Sequence, residues 1–464
     1  MFKRIILVVI SFIAITYAVT VQAQVLTLKE AVQTALDNYG TIKAKANYAK
    51  SSKETVTQAV KEMLPDLSVS AQQDFGTVNG QTGPSYGYRG LSVSSAGPAL
   101  ASQNWNAAFG ALYLANINWD FYSFGKLRER VKTAQAILTR DENDLTQEKF
   151  QHEVRVSAAY LNLLASQRLI RSWKNNLERA DALRNTIVTR AKNGLIAGVD
   201  SSQANAELSS AKISLTRAID YAQELSNQLA QLMGVPAKDF ELDTTFLNKV
   251  PTTAYDTAQA IQHPLLKFYQ SRIDVSNEQA KYFHTFMYPT FSAFGIMQTR
   301  GSGFDYSYSQ TNNEAYKSNY WDGVKPTRSN YLLGVGVTWN LTQPLRIKHQ
   351  VAAQKFISSG LRNEFELVDQ QLKAQTVLAE NKMKNALSNF AEAPVQVKAA
   401  SDAYLQKTVL YKNGLANIVD VTQALYIVNR AETDRDISNT NVWQALLLRA
   451  AASGDFTVFI NEFQ

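Results

Sequence analysis

The stretch from Lys126 to Asn193 contains neither glycine nor proline. Those two residues are the usual interruptions of a helix, so the stretch predicts one continuous helix. At 1.5 Å per residue it would be roughly 100 Å long. A single globular core does not enclose a helix of that length, and we therefore expect other helices to pack along it.

The chain also contains an internal repeat. Residues 192–212 and 412–432 share nine identities in 21 positions, beginning with Lys-Asn-Gly-Leu in both copies, where chance gives about one or two. The pattern predicts a tandem duplication. We divide the chain into a first repeat (24–234), an equatorial collar segment (235–263), a second repeat (264–454) and a C-terminal tail (455–464).

Each half has the same predicted order: a shorter helix, a strand, a polar loop, a strand, a very long helix, a tight turn and a returning helix. The second long helix, from about Leu345 to Asn413, contains Gly360 and Pro394. Proline removes a helical hydrogen bond and clashes with the preceding turn, so we expect a kink or break around Pro394. The helix that opens the first half is predicted from Thr41 to Leu64.

The returning helix, Asp200 to Met233, has an apolar seam with strict 4-3 spacing. This spacing is typical of a coiled coil, although an ordinary amphipathic helix in a soluble bundle explains it equally well. The equivalent seam of the second half includes Arg435, Ser438 and Arg449, and we expect it to be weaker or to face water. The seam residues of the first half are Ala204, Leu208, Ala211, Leu215, Ala218, Ala222, Leu225, Leu229 and Leu232.

Four segments alternate between apolar and small or polar residues, as strands between lipid and water do. Two run from about Asp66 to Phe75 and from Thr290 to Thr299, and the other two end near Phe121 and Leu341. Because aromatic residues favour membrane interfaces, we predict interface positions for Trp119, Phe121, Trp339 and Tyr288. An ordinary sheet with aromatic edges is the alternative. Four strands cannot close a membrane barrel, so several copies must combine.

The N-terminus, residues 1–23, has the pattern of a secretory signal peptide: a basic start, an apolar run and a small-residue site. The chain has no cysteine, which excludes disulfides and thiolate chemistry. Its formal charge of +7 comes from basic residues scattered among acidic ones, so we predict no nucleic-acid partner.

Two short motifs predict tight helical hairpins. Gly194 and Gly414 follow the long helices, where a left-handed residue commonly ends a helix. Asp200 with Gln203, and Asp420 with Gln423, have the spacing of capping boxes for the returning helices.

No pattern of catalytic residues is present. The four histidines, at positions 152, 263, 284 and 349, are far apart, and no phosphate-binding loop or nucleophile elbow occurs. We therefore predict that the chain is not an enzyme and has no cofactor and no metal site.

Together these motifs resemble the TolC-like outer membrane efflux proteins, also called outer membrane factors, over essentially the whole chain after the signal. The resemblance rests on three pairs of motifs. Leu64-Pro65 and Tyr288-Pro289 enter strands, Asn118-Trp119-Asp120-Phe121 and Thr338-Trp339-Asn340-Leu341 leave strands, and Gly-Leu occurs at both turns. The resemblance implies a mainly α fold: long antiparallel coiled-coil helices forming an α-helical barrel in the periplasm. It also implies that each subunit contributes four strands to a trimeric, twelve-stranded transmembrane β-barrel in the outer membrane.

The resemblance further implies a function, a channel of a tripartite efflux or type I secretion system. Its partners would be two identical subunits, outer-membrane lipid, a periplasmic adaptor (membrane fusion) protein and an inner-membrane pump. The alternative is an exported coiled-coil adaptor or surface adhesin without a pore.

It also implies roles for residues at the hairpins. Gly194, Leu195, Gly414 and Leu415 would dock the adaptor, and Asp420 of three subunits would form an acidic ring that attracts cations. Asp200, Gln203 and Gln423 would belong to the same periplasmic tip. The family often has a second Asp where this chain has Gln423, and an Arg where it has Ala416, which puts a salt-bridged gate in question.

Overall fold

The computed structural model describes residues 25–80, 97–244, 246, 249–251 and 263–463. The predicted signal peptide lies outside the described residues, as do parts of the collar segment and of the first strand-connecting loop. In chain order the elements are α1 (Leu28–Asn38), α2 (Gly40–Lys61), β1 (Asp66–Thr77), β2 (Ala107–Tyr122), α3 (Lys126–Lys192), α4 (Gly198–Met233), α5 (Pro264–Thr285), β3 (Thr290–Ser302), α6 (Tyr320–Val324), β4 (Arg328–Thr338), α7 (Gln343–Lys412), α8 (Ile418–Ser453), α9 (Thr457–Ile460) and a 3-10 turn (Asn461–Phe463).

The chain forms two compact units. The helical unit contains the residues up to Lys50, Thr139–Arg272 and those from Gly360 onward. The sheet unit contains Ser51–Leu138 and Ile273–Ser359. The predicted long helices are confirmed, since α3 has 67 residues and α7 has 70.

The main core of the helical unit lies where α1, α3, α4 and α8 pack together. Tyr160 and Leu164 of α3 and Trp443 and Leu446 of α8 are almost fully buried in it. The Tyr160 hydroxyl donates to the Leu26 carbonyl at 2.8 Å and accepts from the Asp243 N–H at 3.2 Å. Burial of this hydroxyl raises the pKa of Tyr160. The segment after α4 is therefore attached to the core by a buried polar contact.

The returning helices differ from the prediction in one respect. The first seam is confirmed, because Ala204, Ala211 and Leu229 of α4 are buried. The second was expected to be weaker or to face water, and this was wrong: α8 is more extensively buried than α4, and even Arg449 is only 5% exposed. The helix keeps the register copied from α4, and further buried residues such as Val421, Leu425 and Leu446 widen its buried stripe. The buried positions equivalent to the first seam are Ala424, Val428, Ala431, Val442, Ala445, Arg449 and Ala452.

A break at Pro394 is wrong, because α7 is continuous from Gln343 to Lys412, whereas a kink there stays a prediction. Pro394 itself lies on the exposed side of the helix. Ala393 and Ala400, on either side of it in sequence, are buried. Packing of this face maintains the helix through the proline.

Two structured segments near the ends of the described chain were not predicted from the sequence. A separate helix, α1, precedes α2, and its N-cap Thr27 forms a capping box with Glu30. In the predicted tail, Phe459 is fully buried and Phe463 packs edge-on against Phe246 at 4.5 Å between ring centroids. The tail and the described part of the collar segment thus belong to one core.

The sheet unit contains one antiparallel sheet in the order β1-β2-β3-β4. Its central register pairs Val69 with Ala115, Ala115 with Met297 and Met297 with Tyr331. Residues paired in this way point to the same face. One face is apolar and includes Leu67, Val69, Ile117, Met297, Leu333 and Val335, whereas the other includes Ser68, Gln72, Asp74, Asn116, Gln298 and Arg300.

The two halves have matching boundaries. α4 spans 198–233 and α8 spans 418–453, so both ends of these helices keep the register of the repeat between 192–212 and 412–432. Gly234 and Gly454 end these helices with φ of 65° and 78°. These matches agree with a tandem duplication, which we keep as a proposal together with the proposed domain boundaries.

Candidate functional site: the hairpin turns and the apolar sheet face

Both hairpin turns end their long helix in the same way. Gly194 and Gly414 have φ of 70° and 77°, the left-handed conformation that a glycine adopts without strain. In the first turn, the N–H of Leu195 donates to the Arg190 carbonyl at 3.0 Å. In the second, the N–H of Leu415 donates to the Leu410 carbonyl at 2.9 Å. These bonds form the Schellman motif expected of a glycine after a helix.

The N-caps of the returning helices lie three residues earlier than predicted, so the predicted capping boxes do not form. The N-caps are Ala197 and Asn417, which places Asp200 and Asp420 inside the first helical turn. The Asp420 N–H donates to Asn417 Oδ1 at 2.9 Å. Asn417 is a strong N-cap residue, whereas Ala197 has no side-chain oxygen to offer. Both aspartates remain favourably placed near the positive end of a helix dipole.

Asp420 faces a basic residue of the preceding helix. Lys407 Nζ of α7 lies 3.8 Å from Asp420 Oδ1, and both side chains are more than 40% exposed. Gln423 and Ile427 lie beside this pair in a shallow depression between α7 and α8. Neither Lys407 nor Asn417 was among the predicted site residues. Asn417 could have been found from its preference for the N-cap, but no local pattern indicates Lys407.

The first hairpin contacts the second through Arg190. Its Nη1 donates to the Tyr411 and Lys412 carbonyls at 3.2 and 3.3 Å, at the end of α7. A cation favours that helix end because the carbonyl dipoles point toward it. Burial raises the pKa of Tyr411, Asp200 acts in the same direction, and Arg190 opposes them. Asp200 therefore lies within electrostatic reach of the second hairpin.

The turns expose large apolar side chains. Leu195 is 66% and Leu415 is 74% exposed. Val199 and Val419, at the start of the returning helices, are also exposed. Gln203 is half-buried and Gln423 is exposed, both within the first two turns of their helices.

The predicted interface aromatics occupy one end of the sheet, where the strands connect to α2, α3, α5 and α7. Trp119 Nε1 donates to the Met63 carbonyl and Trp339 Nε1 to the Met287 carbonyl, both at 3.1 Å. Phe121 and Tyr288 are exposed at the same end. Phe124 lies at the same end; it has a positive φ of 50° and stacks on Tyr288 with 5.1 Å between ring centroids.

Comparison with known proteins agrees with this geometry. Residues 31–235 match the family model described as outer membrane efflux protein. Over this stretch, somewhat under half of its length, the chain is similar to the outer membrane efflux proteins. No curated protein sequence matches the chain.

Solved structures extend the likeness to 92% of the chain. VceC of Vibrio cholerae has a TM-score of 0.72 at 16% identity, with 96% of its chain covered. The CmeC outer membrane channel of Campylobacter jejuni has a TM-score of 0.72 at 14% identity, with 85% covered. The MtrE outer membrane channel of Neisseria gonorrhoeae has a TM-score of 0.70 at 14% identity, with 89% covered. At these identities the likeness establishes the fold.

The match to the family model confirms several predictions. The protein acts in efflux at the outer membrane, with its helical part in the periplasm, and it is not an enzyme. The alternative of an adaptor or adhesin without a pore has no support from these comparisons.

Among the described residues, no group of three or more side chains suited to metal binding occurs. Nor does any described helix combine the length and apolarity needed to span a bilayer.

Proposed function

We propose that three copies of this protein form a passive export duct that receives cargo from an adaptor and an inner-membrane pump. The observation that carries this proposal is the two-faced sheet. Its apolar face exposes Val69, Tyr331 and Val335 extensively, whereas its opposite face is rich in amide and charged side chains. Such a sheet is stable between lipid and water.

Within the described part of the chain, the sheet also has two unpaired edges, β1 and β4. An open edge in lipid would leave backbone groups without hydrogen bonds, which is costly. Pairing β1 of one copy with β4 of the next removes both edges and gives twelve strands for three copies. We therefore assign the subunit contact to these edges, with outer-membrane lipid around the apolar face.

The turns are the proposed docking surface for the periplasmic adaptor. Leu195 and Leu415 are exposed on rigid, hydrogen-bonded turns that Gly194 and Gly414 make possible. Asp420 is the proposed cation-attracting residue of the periplasmic tip. The same two hairpins contain Asp200, Gln203 and Gln423. The contact of Asp420 with Lys407 supports a tip whose negative charge is partly balanced within each subunit.

Cysteine crosslinking tests the assembly directly, because the chain has no cysteine of its own. Val69→Cys on β1 and Tyr331→Cys on β4 lie at the same level of the sheet, on the same face. With a flexible bifunctional linker in detergent, we expect crosslinked species of two and three copies. Val69→Cys with Ala115→Cys is the matched control, since these paired residues should crosslink only within one copy. A monomer that neither crosslinks between copies nor conducts ions in a bilayer would overturn the proposal.

A further inference from the structure

The loop between β3 and β4 folds back onto the sheet. We call residues 303–327 the strap. Its first residues are held by the Gly303 N–H, which donates to the Phe109 carbonyl at 2.8 Å, and by the Lys317 N–H, which donates to the Gly303 carbonyl at 2.7 Å. At its far end the Thr327 N–H donates to the Arg300 carbonyl at 2.9 Å. The strap is therefore a folded element attached at both ends.

The short helix α6 within the strap lies on the apolar face of the sheet. The Tyr113 hydroxyl donates to the Val324 carbonyl at 3.2 Å, and the Tyr320 hydroxyl donates to Gln73 Oε1 at 2.8 Å. The Tyr320 ring meets the Phe109 ring edge-on at 5.2 Å. Gln73, Phe109 and Tyr113 have the same orientation as Leu67 and Val69, because they alternate in register along β1 and β2.

The fit of α6 against β2 is close. A Cβ atom at Gly323 would lie 2.3 Å from the Phe109 carbonyl oxygen, so only glycine allows this approach. Gly323 and Val324 are buried, whereas the neighbouring Trp321 is 73% exposed. The strap thus places an exposed indole on the apolar side of the sheet.

The position along the strands sets the level of this indole. α6 packs mainly on β2 and β3, the two central strands, and reaches the edge strand β1 through the Tyr320–Gln73 hydrogen bond. It lies at the end of the sheet opposite to Trp119 and Trp339, where β1 and β3 end and β2 and β4 begin. An indole has an apolar body and a polar N–H, and it favours the headgroup level of a bilayer.

We propose that the strap is a lipid-facing anchor that seats Trp321 in the headgroup region of the outer leaflet. This rests on the proposed function, in which the apolar face contacts lipid. The occupant follows from continuity, because the strap covers the loop end of the same face that exposes Val69, Leu333 and Val335 below it.

Tryptophan quenching by brominated phospholipids tests the anchor in full-length channels in phosphatidylcholine vesicles. For the parent we expect strong quenching by bromines near the headgroups. Trp321→Phe should lose part of this shallow quenching and keep the quenching by bromines near the bilayer centre. Trp173→Phe, a half-buried position on α3 in the helical unit, is the control and should keep both.

A second variant keeps Trp321 but disturbs the packing of α6 that positions it. Gly323→Ala should displace α6 from Phe109 and also reduce shallow quenching. If either variant conducts like the parent and retains full shallow quenching, the anchor is overturned while the duct stands. Loss of conductance already in the parent would instead overturn the proposed function.

Discussion

At the residue scale, the glycines of α7 and its turn have opposite effects on stability. Gly414→Ala forces a left-handed conformation on alanine and should lower the free energy of unfolding by about 1–2 kcal/mol. Gly360→Ala, inside the same helix with open space around it, should raise that free energy by roughly 0.5–1 kcal/mol. Denaturant unfolding of the two variants measures both values. Equal effects of the same sign would contradict the role assigned to the turn.

A buried histidine makes stability depend on pH. His263 accepts from the Leu265 N–H through Nδ1 and donates to the Ala451 carbonyl through Nε2, a pattern that needs the neutral ring. Burial lowers the pKa of His263 in the folded state, although the bond to Ala451 opposes this. In the unfolded chain the histidine has a pKa of about 6.5, whereas in the folded protein its pKa is lower. The stability that the neutral His263 ring contributes is therefore fully present above about pH 6.5 and is lost as the pH falls.

His263→Asn tests this linkage while retaining a residue suited to the start of α5. We expect the decrease in unfolding free energy between about pH 7 and pH 5 to be smaller than in the parent. Exposed His349→Asn is the control and should leave the pH profile unchanged. An unaltered profile for the variant at 263 would show that this histidine does not contribute.

At the element scale, α7 is continuous despite its proline. Since Pro is about 3 kcal/mol less favourable than Ala in a helix interior, Pro394→Ala should raise the free energy of unfolding by up to about that amount. The side chain is exposed, so little packing is lost. Glu392→Ala, also exposed in the same turn, should change stability much less. Lower stability of Pro394→Ala would mean that the proline has a structural role.

At the scale of the whole molecule, the Lys407–Asp420 pair should set the cation preference of the proposed duct. Lys407→Met removes the balancing charge and should increase the cation-to-anion permeability ratio by up to about fivefold, because an exposed pair is worth up to about 1 kcal/mol. Asp420→Ala should lower the ratio, which bilayer reversal potentials measure. Lys398→Met, another exposed lysine of α7, is the control. Unchanged permeability ratios in both Lys407→Met and Asp420→Ala would exclude a role of this pair in the cation preference of the duct.

Much of the architecture could be predicted from local patterns. The absence of Gly and Pro between Lys126 and Asn193 predicted α3, and glycine after each long helix predicted the left-handed turns. The Thr27-x-x-Glu30 signal of α1 was present in the sequence and was missed. The N-cap positions Ala197 and Asn417 were missed because an aspartate in the first turn resembles a cap.

The sequence by itself determined the long helices, the order in which they alternate with the strands, and the two faces of the strands, because each follows from backbone chemistry and periodicity within one segment. Only the tertiary structure decided that α8 is extensively buried, that α7 continues through Pro394, and that the strap folds onto the apolar face. Those outcomes depend on packing between segments distant in the chain, such as Trp443 against Phe246 and Gly323 against Phe109. No local pattern contains the partner that a residue meets after folding.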